Sequence, residues 1–279
     1  MPAPPTATRL LPKEHGTWAM LLVPWAVGGG LGRGVGGLAT VRQILLLVAA
    51  VSLFLAHAQL LAWYRLRAAA RPDLWAAAAA RRLLLILTAL GLAAAVSLMV
   101  LIPLARLMPL VGIGALAAAL TGASLGLVTR RLDHALPGQM LAAVGLPLSA
   151  PAAYYVAGGT RERVAAALWL LCGTFFLWAV FYVRLKIEAR ARRAPRGTVR
   201  ARLSFAGGML VIDAAILLAA LAAVRLGPFS PLALAAFIPA VLQTTAGITR
   251  LDRPASLKRV GILLTAHSIV FGLAVICLA

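Results

Sequence analysis

The chain has 279 residues, of which 62% are apolar and only 12% charged, with a mean hydropathy of +0.96. Such a composition excludes a disordered chain and an ordinary water-soluble domain, because too little polar surface remains to cover the apolar side chains. The charge is lopsided, with 27 Lys and Arg against seven acids for a net +20; between long apolar runs this reads as membrane topology rather than nucleic-acid binding.

A bilayer-spanning helix needs roughly 20 mainly apolar residues. Nine such runs occur, at about 17–38, 42–64, 82–104, 107–128, 137–157, 164–183, 205–224, 229–249 and 259–278. The first is thinned at its far end by Arg33 and by seven glycines between Gly28 and Gly37. The opening MPAPPTATRLLPKEHG lacks a compact basic segment with a small-residue cleavage site, so no removed signal peptide is expected. Cys172 and Cys277 both lie inside apolar runs and suggest no disulfide framework. The expectation is an all-α polytopic membrane protein, one membrane domain over residues 1–279, with nine transmembrane helices.

With the N-terminus inside, the alternating inner segments hold 21 basic residues and the outer segments six: Arg33, Arg42, Arg106, Arg161, Arg163 and Arg225. The positive-inside rule then sets the N-terminus in the cytoplasm and the C-terminus outside.

The chain also reads as two related halves. RLRAAAR at 65–71 follows the second run and RLKIEAR at 184–190 follows the sixth, 119 residues later. Glu14-His15 and Asp133-His134 share that offset, as do Arg42 and Arg161; TRRLD at 129–133 and TRLD at 249–252 differ by 120. Four runs separate equivalent points. The halves, about 12–128 and 131–249, therefore share one orientation as parallel repeats, and the helix at about 259–278 stands outside the duplication.

Ionisable groups inside spans are costly and mark sites or pathways by default. At ~1.5 Å per residue, His57 lies roughly 10 Å from the inner end of its run, Asp213 and His267 about 12 Å, and Gln243 about 9 Å. Gln59, Ser124 and Gln139 are also in the inner part, whereas the outer halves hold little beyond Ser and Thr. This agreement in depth predicts a polar chamber open to the cytoplasm, into which Glu14-His15 and Asp133-His134 face. Interhelical glue is the competing reading for His57, Asp213 and His267, and topology alone for the arginines. Trp63, Tyr64, Trp178 and Tyr182, near inner ends, read as an interfacial aromatic belt.

No zinc-type Cys/His spacing and no P-loop occurs, and seven scattered acids do not assemble a Mg²⁺ site; no metal or cofactor is expected. An anion site is easier to build. Arg65, Arg67, Arg130, Arg131, Arg184 and Lys186 can converge at one mouth, where guanidinium forks match phosphate oxygens. Over an apolar cleft this suits an anionic head with a hydrocarbon tail, or surface binding of anionic lipid.

The motif PKEHGTWAMLLVP at 12–24 resembles the opening of the YwiC-like family of bacterial membrane proteins, and FYVRLK at 181–186 resembles that family's sixth-span ending. This implies a multi-pass protein of the bacterial cytoplasmic membrane and names no reaction. RRLDHALPGQMLAAVGLPLSAPAAYYVAGG at 130–159 is more distantly similar to the UbiA-type intramembrane prenyltransferases, with nine helices in two four-helix halves plus one. That similarity implies a cytoplasm-facing site in which Arg130 and Arg131 contact diphosphate. The Asp-rich motifs of that superfamily are missing here: the matching segments carry His57, Gln59 and Glu188 but no aspartate. Metal-independent binding of an anionic isoprenoid or lipid is therefore the expected activity. Glu14, His15 and His57 are the proton-transfer candidates, because the unperturbed imidazole pKa of about 6.5 lies near working pH. Lys13, Gln59, Arg65, Arg67, Arg130, Arg131, His134, Arg184, Lys186, Glu188, Asp213 and His267 would line the ligand. A small secondary transporter around Asp213, His57 and His267, and a non-catalytic assembly factor, are the alternatives. Membrane lipids are the expected partners, and nucleic acid is not.

Overall fold

The computed structural model describes residues 15–32, 36–68, 74–130, 135–191, 198–227, 229–251 and 256–279, and every element among them is helical. In chain order these are α1 (His15–Leu31), α2 (Gly37–Ala68), α3 (Leu74–Leu101), α4 (Leu104–Thr129), α5 (Leu136–Gly145), a 3-10 turn (Leu146–Leu148) and α6 (Ser149–Val156). There follow α7 (Glu162–Ala191), α8 (Val199–Phe205), α9 (Gly207–Leu226), a 3-10 segment (Pro231–Phe237), α10 (Ile238–Thr249) and α11 (Leu257–Leu278). Seven helical segments are long and apolar enough to cross a membrane: α2, α3, α4, α7, α9, the 3-10 segment with α10, and α11. The chain is thus a polytopic helical membrane protein. Two further expected spans are apolar but different in form, since α1 has only 17 residues and α5–α6 is interrupted.

The interruption follows from two prolines. Pro147 and Pro151 lack the N–H that would continue the ladder, so the chain tightens into a 3-10 turn between α5 and α6. Irregular backbone survives in hydrocarbon only if neighbours satisfy its polar groups. Three do. Trp169 Nε1 donates to the Val144 carbonyl at 2.9 Å, and Gln43 Nε2 to the Ala153 carbonyl at 2.7 Å. Ser149 Oγ donates across to the Leu21 carbonyl of α1 at 2.8 Å.

The core surrounds α7, whose apolar window is 72% buried, against 6% for α4. Phe175 of α7 stacks on Phe271 of α11 at 4.2 Å, and Phe237 closes the edge at 5.3 Å from Phe271. α2 packs chiefly on α3, α7 on α9, and α1 on α6 and α11. The α1–α6 seam is the tightest: a Cβ at Gly28 would sit on the Ala150 carbonyl, and one at Gly32 would lie 2.7 Å from the Tyr154 carbonyl. By contrast, Leu85, Ile86, Val100 and other large residues of α3 and α4 face outward, an apolar surface suited to lipid.

Gly28→Ala is expected to lower stability in detergent by roughly 1–3 kcal/mol through overpacking. Gly122→Ala, where nothing lies within 4 Å, should change it by no more than about 0.5 kcal/mol. Thermal unfolding of both variants checks the pair.

Candidate functional site

Most of the described cations gather at one face, where α2, α4, α7 and α10 end and α3, α9 and α11 begin. On α2 the Arg67 guanidinium stands 5.4 Å above the Trp63 ring; on α7 the Lys186 ammonium stands 5.6 Å from the Tyr182 ring. Each is an i, i+4 aromatic–cation contact, and the two lie 119 residues apart. Their surroundings differ. Arg65 and Arg67 are exposed, as is Arg130 at the end of α4. Lys186 is buried and donates to the Gly247 carbonyl at 2.7 Å, while Arg202 donates to the Thr249 carbonyl. Both satisfy carbonyls in the last turn of α10 that have no partner within the helix, where positive charge is favoured. Arg184 pairs with Glu188 at 3.0 Å on the exposed side of α7.

Gly247 explains the burial of this stripe, because a Cβ there would lie 2.6 Å from the Tyr182 hydroxyl. Tyr182 is stacked on Trp178 at 5.6 Å, and the two are 4% and 2% exposed. That corrects the expectation of a belt: Trp178 and Tyr182 face α10, not the bilayer interface. Tyr64 is exposed, and Trp63 carries Arg67.

The buried polar groups form two sets. Between α2 and α4, His57 Nε2 and Ser124 Oγ are 3.2 Å apart. Ser124 spends its own proton on the Thr121 carbonyl at 2.7 Å. Its oxygen is then the acceptor, which assigns the proton to His57 Nε2. His57 Nδ1 is buried and unpartnered. The triad arrangement needs a third group at that nitrogen and a serine that gives its proton to the ring, and this pair has neither feature. Gln59 is 2% exposed, one turn from Ala56 and two from Ser52 on the packed side of α2.

The second set joins α7, α9 and α10. Trp178 Nε1 donates to Thr244 Oγ1 at 2.9 Å, and the Thr244 hydroxyl is the side chain that faces the Asp213 carboxyl. Asp213 falls on the stripe Met209, Ile216, Ala220 by which α9 packs inward. The Tyr182 hydroxyl lies against Gln243. His267 is one turn from Phe271, which stacks on Phe175, so it lies level with Trp178 one turn from Phe175. Asp213 Oδ1, both amide atoms of Gln243 and His267 Nδ1 are buried without hydrogen-bond partners. Among the described residues no hydrogen bond or ion pair links His57 to Asp213 or His267. Lys13, Glu14, Arg131, Asp133 and His134, and the side chain of His15, lie outside the described residues.

Thr244 and Gly247 went unnoticed in the sequence. The signal available was the stripe Trp178, Tyr182, Lys186 at four-residue spacing, which repeats the spacing of Trp63 and Arg67. Thr244→Val strips Trp178 Nε1 of its acceptor and is expected to cost about 1–3 kcal/mol. Thr245→Val, on the exposed side of the same helix and bonded only to Val241, should cost far less. Thermal unfolding in one detergent measures the difference.

The chain matches no curated protein and no solved structure. A family model described as YwiC-like protein matches residues 11–154, just over half of the chain, including α1 to α5 and most of α6. With its apolar helices and this match, the chain belongs to the YwiC-like family.

Proposed function

We propose that this YwiC-like protein binds the anionic head of an isoprenoid or other lipid at its basic face, without a metal, in a UbiA-like arrangement of nine crossings. In this reading α1 and α5–α6 cross alongside the seven longer segments. The N-terminus and the basic face are cytoplasmic, in a bacterial inner membrane, and two parallel four-span halves precede α11. The orientation rests on the 21-to-6 distribution of basic residues.

The observation that carries the reading is the matched pair of aromatic–cation contacts, Trp63–Arg67 and Tyr182–Lys186, at the basic ends of α2 and α7. Packing supports the duplication too. α2 favours α3 as α7 favours α9, and α1 touches α7 as α6 touches α2. Arg106, just after the α3–α4 turn, and Arg225, just before the turn that follows α9, keep the same offset of 119. In the second half Lys186 is buried on Gly247 and Arg184 pairs with Glu188; the anion-binding role is assigned chiefly to Arg65, Arg67 and Arg130, all exposed at this face. Arg131 and Lys13 complete the set from sequence, and Glu14, His15 and His57 are the groups named for proton transfer.

A second reading, a secondary transporter, is favoured by one observation: the unpartnered polar atoms of Asp213, Gln243 and His267 in the interior. One experiment separates the two. Protein purified from native membranes is analysed for bound lipid by mass spectrometry. Wild type is expected to retain an anionic isoprenoid or phospholipid, and Arg65→Ala/Arg67→Ala to lose at least several-fold of it, while Asp213→Asn retains it. Equal retention in wild type and the arginine variant overturns the first reading.

A further inference from the structure

The face opposite the basic one is not closed. A cavity of about 410 Å³ opens between α4, α6 and the start of α7, within the ~300–1,000 Å³ typical of small-molecule sites. Met108 and Glu162 mark one end, Leu116 and Trp169 the other. At ~1.5 Å per residue it reaches roughly 10–12 Å along the helices from the end that begins α4 and α7. Its walls are apolar for most of that depth. α4 contributes Gly112, where a Cβ would meet nothing within 4 Å, so the absent side chain leaves room rather than accommodating a neighbour.

The shallow end is chemically different. Tyr155 lines the cavity at 5% exposure, and its hydroxyl has no hydrogen-bond partner among the described residues. Glu162 begins α7, makes no ion pair with a described residue, and is flanked by exposed Arg161 and Arg163. By sequence it is the one acid outside the basic-face segments and the spans. Anion, cation and phenol therefore sit where an apolar slot meets the membrane surface. An anionic head group would be repelled by Glu162; an ammonium is attracted both to the carboxylate and to the face of an aromatic ring. A phosphate next to that ammonium has Arg161 and Arg163 available.

We infer that this cavity binds one zwitterionic, amine-headed phospholipid. Its chain runs along the Gly112 wall past Trp169, its ammonium meets Glu162 and Tyr155, and its phosphate meets the flanking arginines. The basic-face site plays no part in this, so either assignment can fail alone.

Trp169 provides the probe. The protein is reconstituted in phosphatidylglycerol vesicles, a small share of which is replaced by lipid with brominated chains. The Trp169 emission is obtained as the difference between wild type and Trp169→Phe. Brominated phosphatidylethanolamine is expected to quench it several-fold more than the same share of brominated phosphatidylglycerol. Gly112→Leu, which fills open space, should abolish that preference with an unchanged unfolding temperature. Equal quenching by the two lipids, or a preference that survives Gly112→Leu, overturns the inference. A second readout needs no Trp169 variant: the ratio of amine-headed to glycerol-headed lipid retained through purification should fall several-fold in Glu162→Gln, and an unchanged ratio also overturns it.

Discussion

The backbone approach of α1 to α6 holds the rest of the molecule in register. Between helices in hydrocarbon there is no hydrophobic driving force, since lipid tails are as apolar as leucine; close packing and interhelical hydrogen bonds must act instead. Gly28 on α1 and Gly32 just past its end let the backbone meet Ala150 and Tyr154 directly. Ser149 adds its hydrogen bond to Leu21 along the same seam. From there α1 reaches α11, where Gly272 accepts Val23 and Val27, and α11 reaches α7 through Phe271. The glycine-rich stretch that weakens the first span as a hydropathy signal is thus what makes α1 a packing partner.

That reversal indicates what the sequence can and cannot disclose. Apolar run length is a local property, and each of the nine expected runs is mainly helical where it is described. Pro147 and Pro151 break the fifth run, but the hydrogen bonds to its carbonyls from Trp169 and Gln43 come from two other elements, α7 and α2, and have no local signature. His57 and Ser124 were both legible as polar groups at similar depth, and they meet. Trp178 and Tyr182 misled, because position near a helix end suggests an anchor only if the helix has a lipid-facing side. α7 is apolar all round, so its pattern does not reveal which face is buried; its place at the centre makes the answer nearly every face.

The two aromatic–cation pairs show how one local arrangement takes on different work through its neighbours. Tyr182 and Lys186 lie against Gly247, and the missing side chain lets the ring approach and the ammonium fold onto the end of α10. The residue 119 positions before Gly247 is Val128, itself buried. In the first half Arg67 stays at the surface. A buried ammonium bonded to a helix carbonyl is a structural cap that an incoming anion would have to displace. An exposed guanidinium held over a ring has already lost part of its side-chain freedom while its donors remain open to solvent. Of two ends with the same spacing, the one carrying Arg67 is therefore the one that keeps its cation at the surface, as the proposed anion-binding role requires.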